Sequence, residues 1–368
     1  MYDRRVVIGP ASEVEADSVA NMPDNTQAKP SIRPVGLLRG TTTVEQARDA
    51  YDAVDKLLLG RRAGPESGSR PAHTTAIYVK GVFRPLPAGA DVCRSSIFKD
   101  DVDVVARISN LSGALRKRDL HGFALKFIPG GEEATTDLVA LNIDRFMVTR
   151  SYDFVRFLRL ADEGWRKAPR ATIRFLALTL AGRASIRGLE AAAAAWWRRP
   201  RSLAALTYHG IHTFFVEDEN GARLPFRYSI DAAAPAGRTR PPRTVAALYG
   251  ELIARLESDS PLVFPLMFYL PWKSDLYGDW GAVPDEAKAR LIKPTVRWTT
   301  GRRLHVGTLR LSEILDKAAF TDGEDVNPSL DHLVFDPTNL ADGIFPSDDE
   351  ILRVRGAVYA ESHMRRTT

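Results

Sequence analysis

An antiparallel β-barrel with helices packed around it, an α+β architecture of about eight strands, is the fold class this chain predicts. Three observations carry it. Short apolar runs with period-two alternation recur along the chain, two of them meet at an Asn220-Gly221 turn, and helical periodicity is confined to the stretches between them. Of 368 residues, 44% are hydrophobic and 26% charged, which supplies a sizeable core and excludes a disordered or collagen-like chain.

Residues 1–35, with several Pro, Asp and Ser, read as an extended arm. Thr43 to Leu59 then repeats Val44, Ala47, Tyr51, Val54, Leu57 and Leu58 at helical spacing, and Gly60 to Ser69 breaks it. A long strand begins near His73, where Thr75, Ile77, Val79 and Gly81 alternate with Ala76, Tyr78 and Lys80. Strands follow at Val102–Ser109, Gly122–Phe127, Asp137–Leu141, His212–Val216, Leu224–Ile230, Leu262–Leu270 and Leu304–Leu311. Ser151–Glu163, Ala171–Arg187 and Thr244–Glu257 read as helices outside the barrel. With no linker in the middle of the chain, residues 36–368 form one domain, its last helix near 347–366.

A net charge of +5 is too slight to imply nucleic acid, and no supporting motif occurs. A single cysteine, Cys93, excludes an intrachain disulfide and a thiol-rich zinc site. The N-terminus has no apolar signal core, and the longest apolar runs fall well short of the roughly 20 residues a bilayer requires, so a cytoplasmic protein is expected.

Chemistry enters at the C-terminal end. In Arg355-x-x-x-Tyr359 one helical turn separates the two side chains, so on a helix the guanidinium sits over the phenol, and a nearby cation favours phenolate, an oxygen donor suited to ferric iron. His73, in Arg70-Pro-Ala-His73, opens a strand; alone, such a histidine is more often structural than catalytic.

Together these segments resemble the haem catalases, and more closely their shorter catalase-related relatives. Arg70-Pro-Ala-His73 resembles the block bearing the distal histidine, and Arg107-Ile-Ser109 the strand supplying a propionate-binding arginine and a serine that supports it. Asp119 to Phe127 (DLHGFALKF) is similar to the family's DPRGFAVKF, Tyr208 to Phe214 (YHGIHTF) to its YGSHTF turn, and FDPTN through Arg366 to the proximal-ligand helix with its preceding loop. The collinear blocks cover roughly residues 40–366.

The resemblance implies a buried haem b whose iron is held by Tyr359, with Arg355 as its charge partner and Arg70, Arg107 and Arg366 for the propionates. It implies that His73 moves a proton between the two peroxide oxygens while Ser109 orients the imidazole. Typical catalases place a distal Asn in DLVGNNTPIFF; here Asp137 to Met147 reads DLVALNIDRFM, so Leu141 falls at that position and Asn142 serves only if a bulge restores the register. Phe146, Phe154 and Phe157 fall on family aromatics, and Met147 replaces one. The chain stops soon after Arg366, without the further helices of typical catalases, and no bound nicotinamide is expected since no glycine-rich fingerprint occurs.

The activity implied is peroxidase: cleavage of hydrogen peroxide or an organic hydroperoxide, with oxidation of an organic electron donor. Rearrangement or cleavage of a lipid hydroperoxide, as in the allene oxide synthase branch, comes second, true catalase third, and a non-enzymatic haem carrier or sensor last, since storage needs no proton shuttle. Between Arg166 and Arg201 nine basic residues accompany one acid, Glu190, interleaved with Trp165, Phe175, Leu176, Trp196 and Trp197. That composition suits peripheral contact with an anionic membrane surface; the more ordinary reading is a solvated basic face packed on the barrel or covered by another subunit of a homo-oligomer.

Overall fold

The computed structural model describes residues 72–73, 75–111, 119–130, 135–162, 168–232, 242, 244–271, 280–298, 301–316, 330 and 333–367, together with Glu45, Arg48 and 50–52. The expected arm at 1–35 and Arg70 lie outside the described residues; of the helix expected over Thr43–Leu59, Glu45, Arg48 and Ala50 to Asp52 are helical.

Ten strands are described: β1 (Ala76–Pro85), β2 (Val102–Asn110), β3 (His121–Ile128), β4 (Thr136–Leu141), β5 (Tyr208–His209), β6 (Phe214–Glu217), β7 (Arg223–Ile230), β8 (Leu262–Leu270), β9 (Arg302–Asp316) and β10 (Ile344–Pro346). Eight of them, in the order β7-β5-β4-β3-β2-β1-β9-β8, close into an antiparallel barrel through the β7–β8 pairing, and β6 and β10 extend it beside β7. The helices of eight residues or more among the described residues are α1 (Ser151–Asp162), α2 (Ala168–Leu180), α3 (Ile186–Trp197), α4 (Val245–Glu257), α5 (Asp285–Ile292) and α6 (Glu350–Thr367).

Period-two alternation divides each early strand between two faces. Ile77, Val79 and Phe83 of β1, Val104, Ala106 and Ile108 of β2, Phe123, Leu125 and Phe127 of β3, and Leu138 and Ala140 of β4 join the central core. Their neighbours Tyr78, Arg107, Ser109, Gly122, Ala124, Lys126, Asp137, Val139 and Leu141 therefore share the outer face.

Two expectations are corrected. Ala171–Arg187 is not one helix: α2 ends at Leu180, Gly182 turns the chain with φ at 66°, and α3 starts at Ile186 under a Ser185 side chain that accepts from the Gly188 amide. The strand expected over His212–Val216 starts only at Phe214, as β6, because His212 and Thr213 turn to bond other elements, and a separate two-residue strand, β5, precedes them.

Candidate functional site

The outer face of β1–β4 is organised in rows, because residues paired across adjacent strands point the same way. The first row runs Ser109, Gly122, Leu141 and His209; the second runs Tyr78, Arg107, Ala124 and Val139; the third contains Lys126 and Asp137.

His73 lies over the first row. Its backbone is left-handed, φ 57°, one of two such non-glycine residues among those described. Several contacts hold this conformation: the His73 amide donates to Leu111 O at 2.9 Å, its carbonyl accepts from Arg107 Nη2, and its Nδ1 shares a 2.9 Å hydrogen bond with Ser109 Oγ. The ring rests on Gly122, where a Cβ would stand 2.8 Å from His73 Cε1 and 3.0 Å from Ser109 Oγ. Strain of this kind persists only where surrounding contacts over-determine it. Arg107 is itself fixed, its Nε donating to Tyr78 OH at 2.9 Å and its guanidinium standing 5.4 Å from that ring.

Asn142 stays off the row. The β3–β4 ladder runs from Phe127↔Thr136 to Gly122↔Leu141 without a register shift, so the bulge that would bring Asn142 forward does not exist. Leu141 occupies the row, while the Asn142 side chain accepts from the His121 amide at 3.0 Å and its own amide donates to the His121 carbonyl.

The third row anchors the loop before α6. Asp137, 1% exposed, accepts from Lys126 Nζ at 2.6 Å, from the Asp336 amide at 2.9 Å and from Asn339 Nδ2 at 3.2 Å. Phe335 meets Tyr78 ring to ring at 6.4 Å, and Gly356 on α6 is so close to this loop that a Cβ would stand 2.7 Å from Thr338 Oγ1. Thus the FDPTN segment seats α6 by contacts to the same sheet face that carries His73.

On α6 the spacing of four does what a helical turn dictates: Arg355 Nη2 donates to Tyr359 OH at 3.3 Å, and the guanidinium lies 5.8 Å from the ring centroid. Burial works against the Arg355 charge, yet the neighbouring Tyr359 oxygen holds its pKa above the usual value. At the start of the helix Asp349 Oδ1 accepts from the Ile351 amide at 2.9 Å, and its Oδ2 accepts from His212 Nδ1 at 2.6 Å. Burial lowers the His212 pKa despite that carboxylate, and its Nε2 is buried without a hydrogen bond among the described residues. Tyr228, on β7, is held to β4, its hydroxyl donating to Val139 O at 3.0 Å and accepting from Val139 N at 2.9 Å. Arg366 lies in the last turn of α6, its side chain outside the described part.

Sequence reasoning missed Gly122, Tyr78, Tyr228 and the His212–Asp349 pair. Gly122 carried a signal, a glycine inside a strand pattern, which often marks close approach of another group. His212 stood in the YHGIHTF block, but its Asp349 partner and the contacts of Tyr78 and Tyr228 carried no local signal, because each depends on a partner far along the chain.

No family model matches the chain. Over 352 residues it is 26% identical to a catalase-related peroxidase of Mycolicibacterium paratuberculosis, a match spanning 90% of this chain and 96% of that protein. Over 174 residues it is 29% identical to a catalase-related peroxidase of Synechococcus elongatus, covering 46% of this chain and 44% of the relative. Among solved structures, a bacterial catalase superposes with a TM-score of 0.60 at 18% identity, over 99% of this chain and 67% of that one. The chain has the catalase fold. A fungal catalase agrees in fold, with a TM-score of 0.59 at 18% identity, over 81% of this chain and only 59% of that catalase, less than two thirds. Within the catalase fold, the eight-stranded barrel brings His73, Ser109 and Arg107 to one sheet face and seats the Arg355–Tyr359 helix through the Asp137 loop.

Proposed function

We propose that the protein is a haem-dependent peroxidase, an oxidoreductase that cleaves the O–O bond of hydrogen peroxide or an organic hydroperoxide and oxidises an organic donor. The observation that carries this reading is the His73–Ser109 pair, held over Gly122 by a strained backbone, on the sheet face that also seats the Arg355–Tyr359 helix. The names of the curated relatives support the same class of reaction.

The donor set fits haem b. Tyr359 offers a phenolic oxygen beside a guanidinium that keeps its charge when buried, and Arg107 offers guanidinium hydrogens of the kind carboxylates take; Arg70 and Arg366, which the resemblance assigns to the propionates, have side chains outside the described residues. When bound, haem supplies an iron centre that accepts peroxide oxygen, with an anionic proximal ligand favouring its oxidised states. The chain's own residues handle the proton. With Ser109 engaging Nδ1, His73 can present Nε2 to take a proton from one peroxide oxygen and return it to the departing one. Arg107 braces the carbonyl of that histidine and so limits its motion. Leu141, on the same row, offers methyl groups and no hydrogen-bond donor, which favours an organic hydroperoxide or donor over a second small peroxide.

That residue also supports the second reading, rearrangement or cleavage of a fatty-acid hydroperoxide by the same residues. The test is an optical spectrum of the purified protein followed by product analysis with hydrogen peroxide and with a fatty-acid hydroperoxide. Donor oxidation or hydroperoxide conversion exceeding oxygen release is the expected result. A protein that takes up no haem would sink the proposal, and vigorous oxygen release with negligible donor oxidation would make it a small catalase instead. His73→Ala is expected to keep haem and slow peroxide cleavage by roughly a hundredfold or more; unchanged rates would remove His73 from the reaction.

A further inference from the structure

Helix α2 presents an apolar stripe to solvent. Ile173, Leu176 and Leu180 recur at helical spacing and are 68, 51 and 84% exposed. The other side of the helix serves the fold: Phe175 is buried with Val148, Ala184 and Ile351, and Leu178 packs against that cluster. α3 is divided in the same way. Its Gly188, Ala192 and Ala195 are buried, while Ile186 and Trp197, about three turns apart, are 47 and 65% exposed.

The elbow between these helices is fixed to the domain. Thr149 N donates to Arg183 O at 2.9 Å, Ser185 N donates to Met147 O at 2.9 Å, and Val148 bridges to Ala184. The backbone therefore holds both apolar faces outward, and grouped exposed side chains of this size on a soluble protein mark an interaction surface. Around them, Arg170, Arg187, Arg198, Arg199 and Arg201 are exposed, and Glu190 is the one acid between residues 166 and 201.

Charge and apolarity together select the occupant. A second copy docking the same face by two-fold symmetry would set arginines against arginines. Nucleic acid would use the arginines but gains little from Ile and Leu at helical spacing. An anionic bilayer uses both, since apolar side chains enter the boundary between headgroups and acyl chains while guanidinium groups meet lipid phosphates.

We propose that α2 and α3 form a peripheral docking surface for an anionic lipid bilayer, with Ile173, Leu176, Leu180 and Trp197 inserted and the surrounding arginines on the headgroups. This holds whichever peroxide the protein uses. The test is co-sedimentation of the full chain with phosphatidylglycerol–phosphatidylcholine vesicles and with phosphatidylcholine vesicles at low salt. Binding to the first set only, weakening as salt rises, is the expected result. I173S/L176S/L180S should lose most of the binding, and R198A/R199A should weaken it roughly fivefold per arginine removed, both with an unchanged circular dichroism spectrum because the altered side chains are exposed. Failure to bind the anionic vesicles, or equal binding by the triple variant, would overturn the proposal. So would tighter binding to duplex DNA at the same salt, or a lipid-free dimer that the triple variant abolishes.

Discussion

The imidazole of His73 rests on the backbone of Gly122, and a Cβ at residue 122 would stand 2.8 Å from Cε1 and 2.9 Å from Nδ1 of that ring. Ser109, paired with Gly122 across β2 and β3, holds the same ring from the side. The histidine is thus placed by a missing side chain as much as by a bond.

Gly122→Ala should displace the ring and break the His73–Ser109 hydrogen bond while the barrel still forms. Overpacking of this kind costs about 1–3 kcal/mol, so a lowered but cooperative unfolding transition is expected. Peroxide cleavage measured by stopped flow should fall toward the rate of His73→Ala. A Gly122→Ala variant reacting at the parent rate would mean that the ring has room the geometry denies it.

Leu141→Asn introduces an amide on the row shared with Ser109 and Gly122. The ratio of oxygen released from hydrogen peroxide to donor oxidised is expected to rise several-fold, as a polar group worth about 1 kcal/mol or more becomes available to a small peroxide. Asn142→Ala, by contrast, should change stability and leave that ratio alone, because the Asn142 side chain bonds the His121 backbone. Oxygen electrode and dye-oxidation assays on the two variants separate these outcomes.

Tyr359→Phe removes the phenolic oxygen that faces Arg355 at 3.3 Å. Haem affinity should fall and the ferric spectrum should change, since no oxygen donor remains at that position. Titration of the variant with haem, followed optically, checks this; an unchanged spectrum would reassign the ligand.

Acid should destabilise the fold through His121. Burial pushes its imidazole down to about 4 from 6.5, and His209 is held down to about 4 for the same first cause. The folded values lie below the unfolded ones, so the unfolded chain binds more protons between about pH 6.5 and 4. Stability present above that window is lost as pH falls through it, by up to about 3 kcal/mol for His121. Denaturant titrations of His121→Gln should show a shallower loss, by about one proton, with the His209 contribution remaining. A slope equal to the parent's would exclude His121 as the titrating group.

Local periodicity explains why part of this was legible in the sequence. Alternation within β1–β4 follows from a pleat two residues long, and Arg355 meets Tyr359 because a helical turn is about four residues. The break in the helix expected over Ala171–Arg187 was readable in principle from Gly182, but the uniform helical spacing on both sides masked it.

Other features depend on pairings between distant parts of the chain. Whether Leu141 or Asn142 faces the row turns on the register of β4 against β3, and a single-residue slip would have reversed the answer. His212 finds Asp349 across 137 positions, and Asp137 finds Asn339 across 202. Composition, strand alternation and the Arg355–Tyr359 turn are properties of neighbours, determined by the sequence by itself. The ring of His73 over Gly122, the place of Leu141 and the seating of α6 were decided by the register of β1 to β4 and by the bonds of Asp137 to the loop before α6, because these join residues that no local pattern connects.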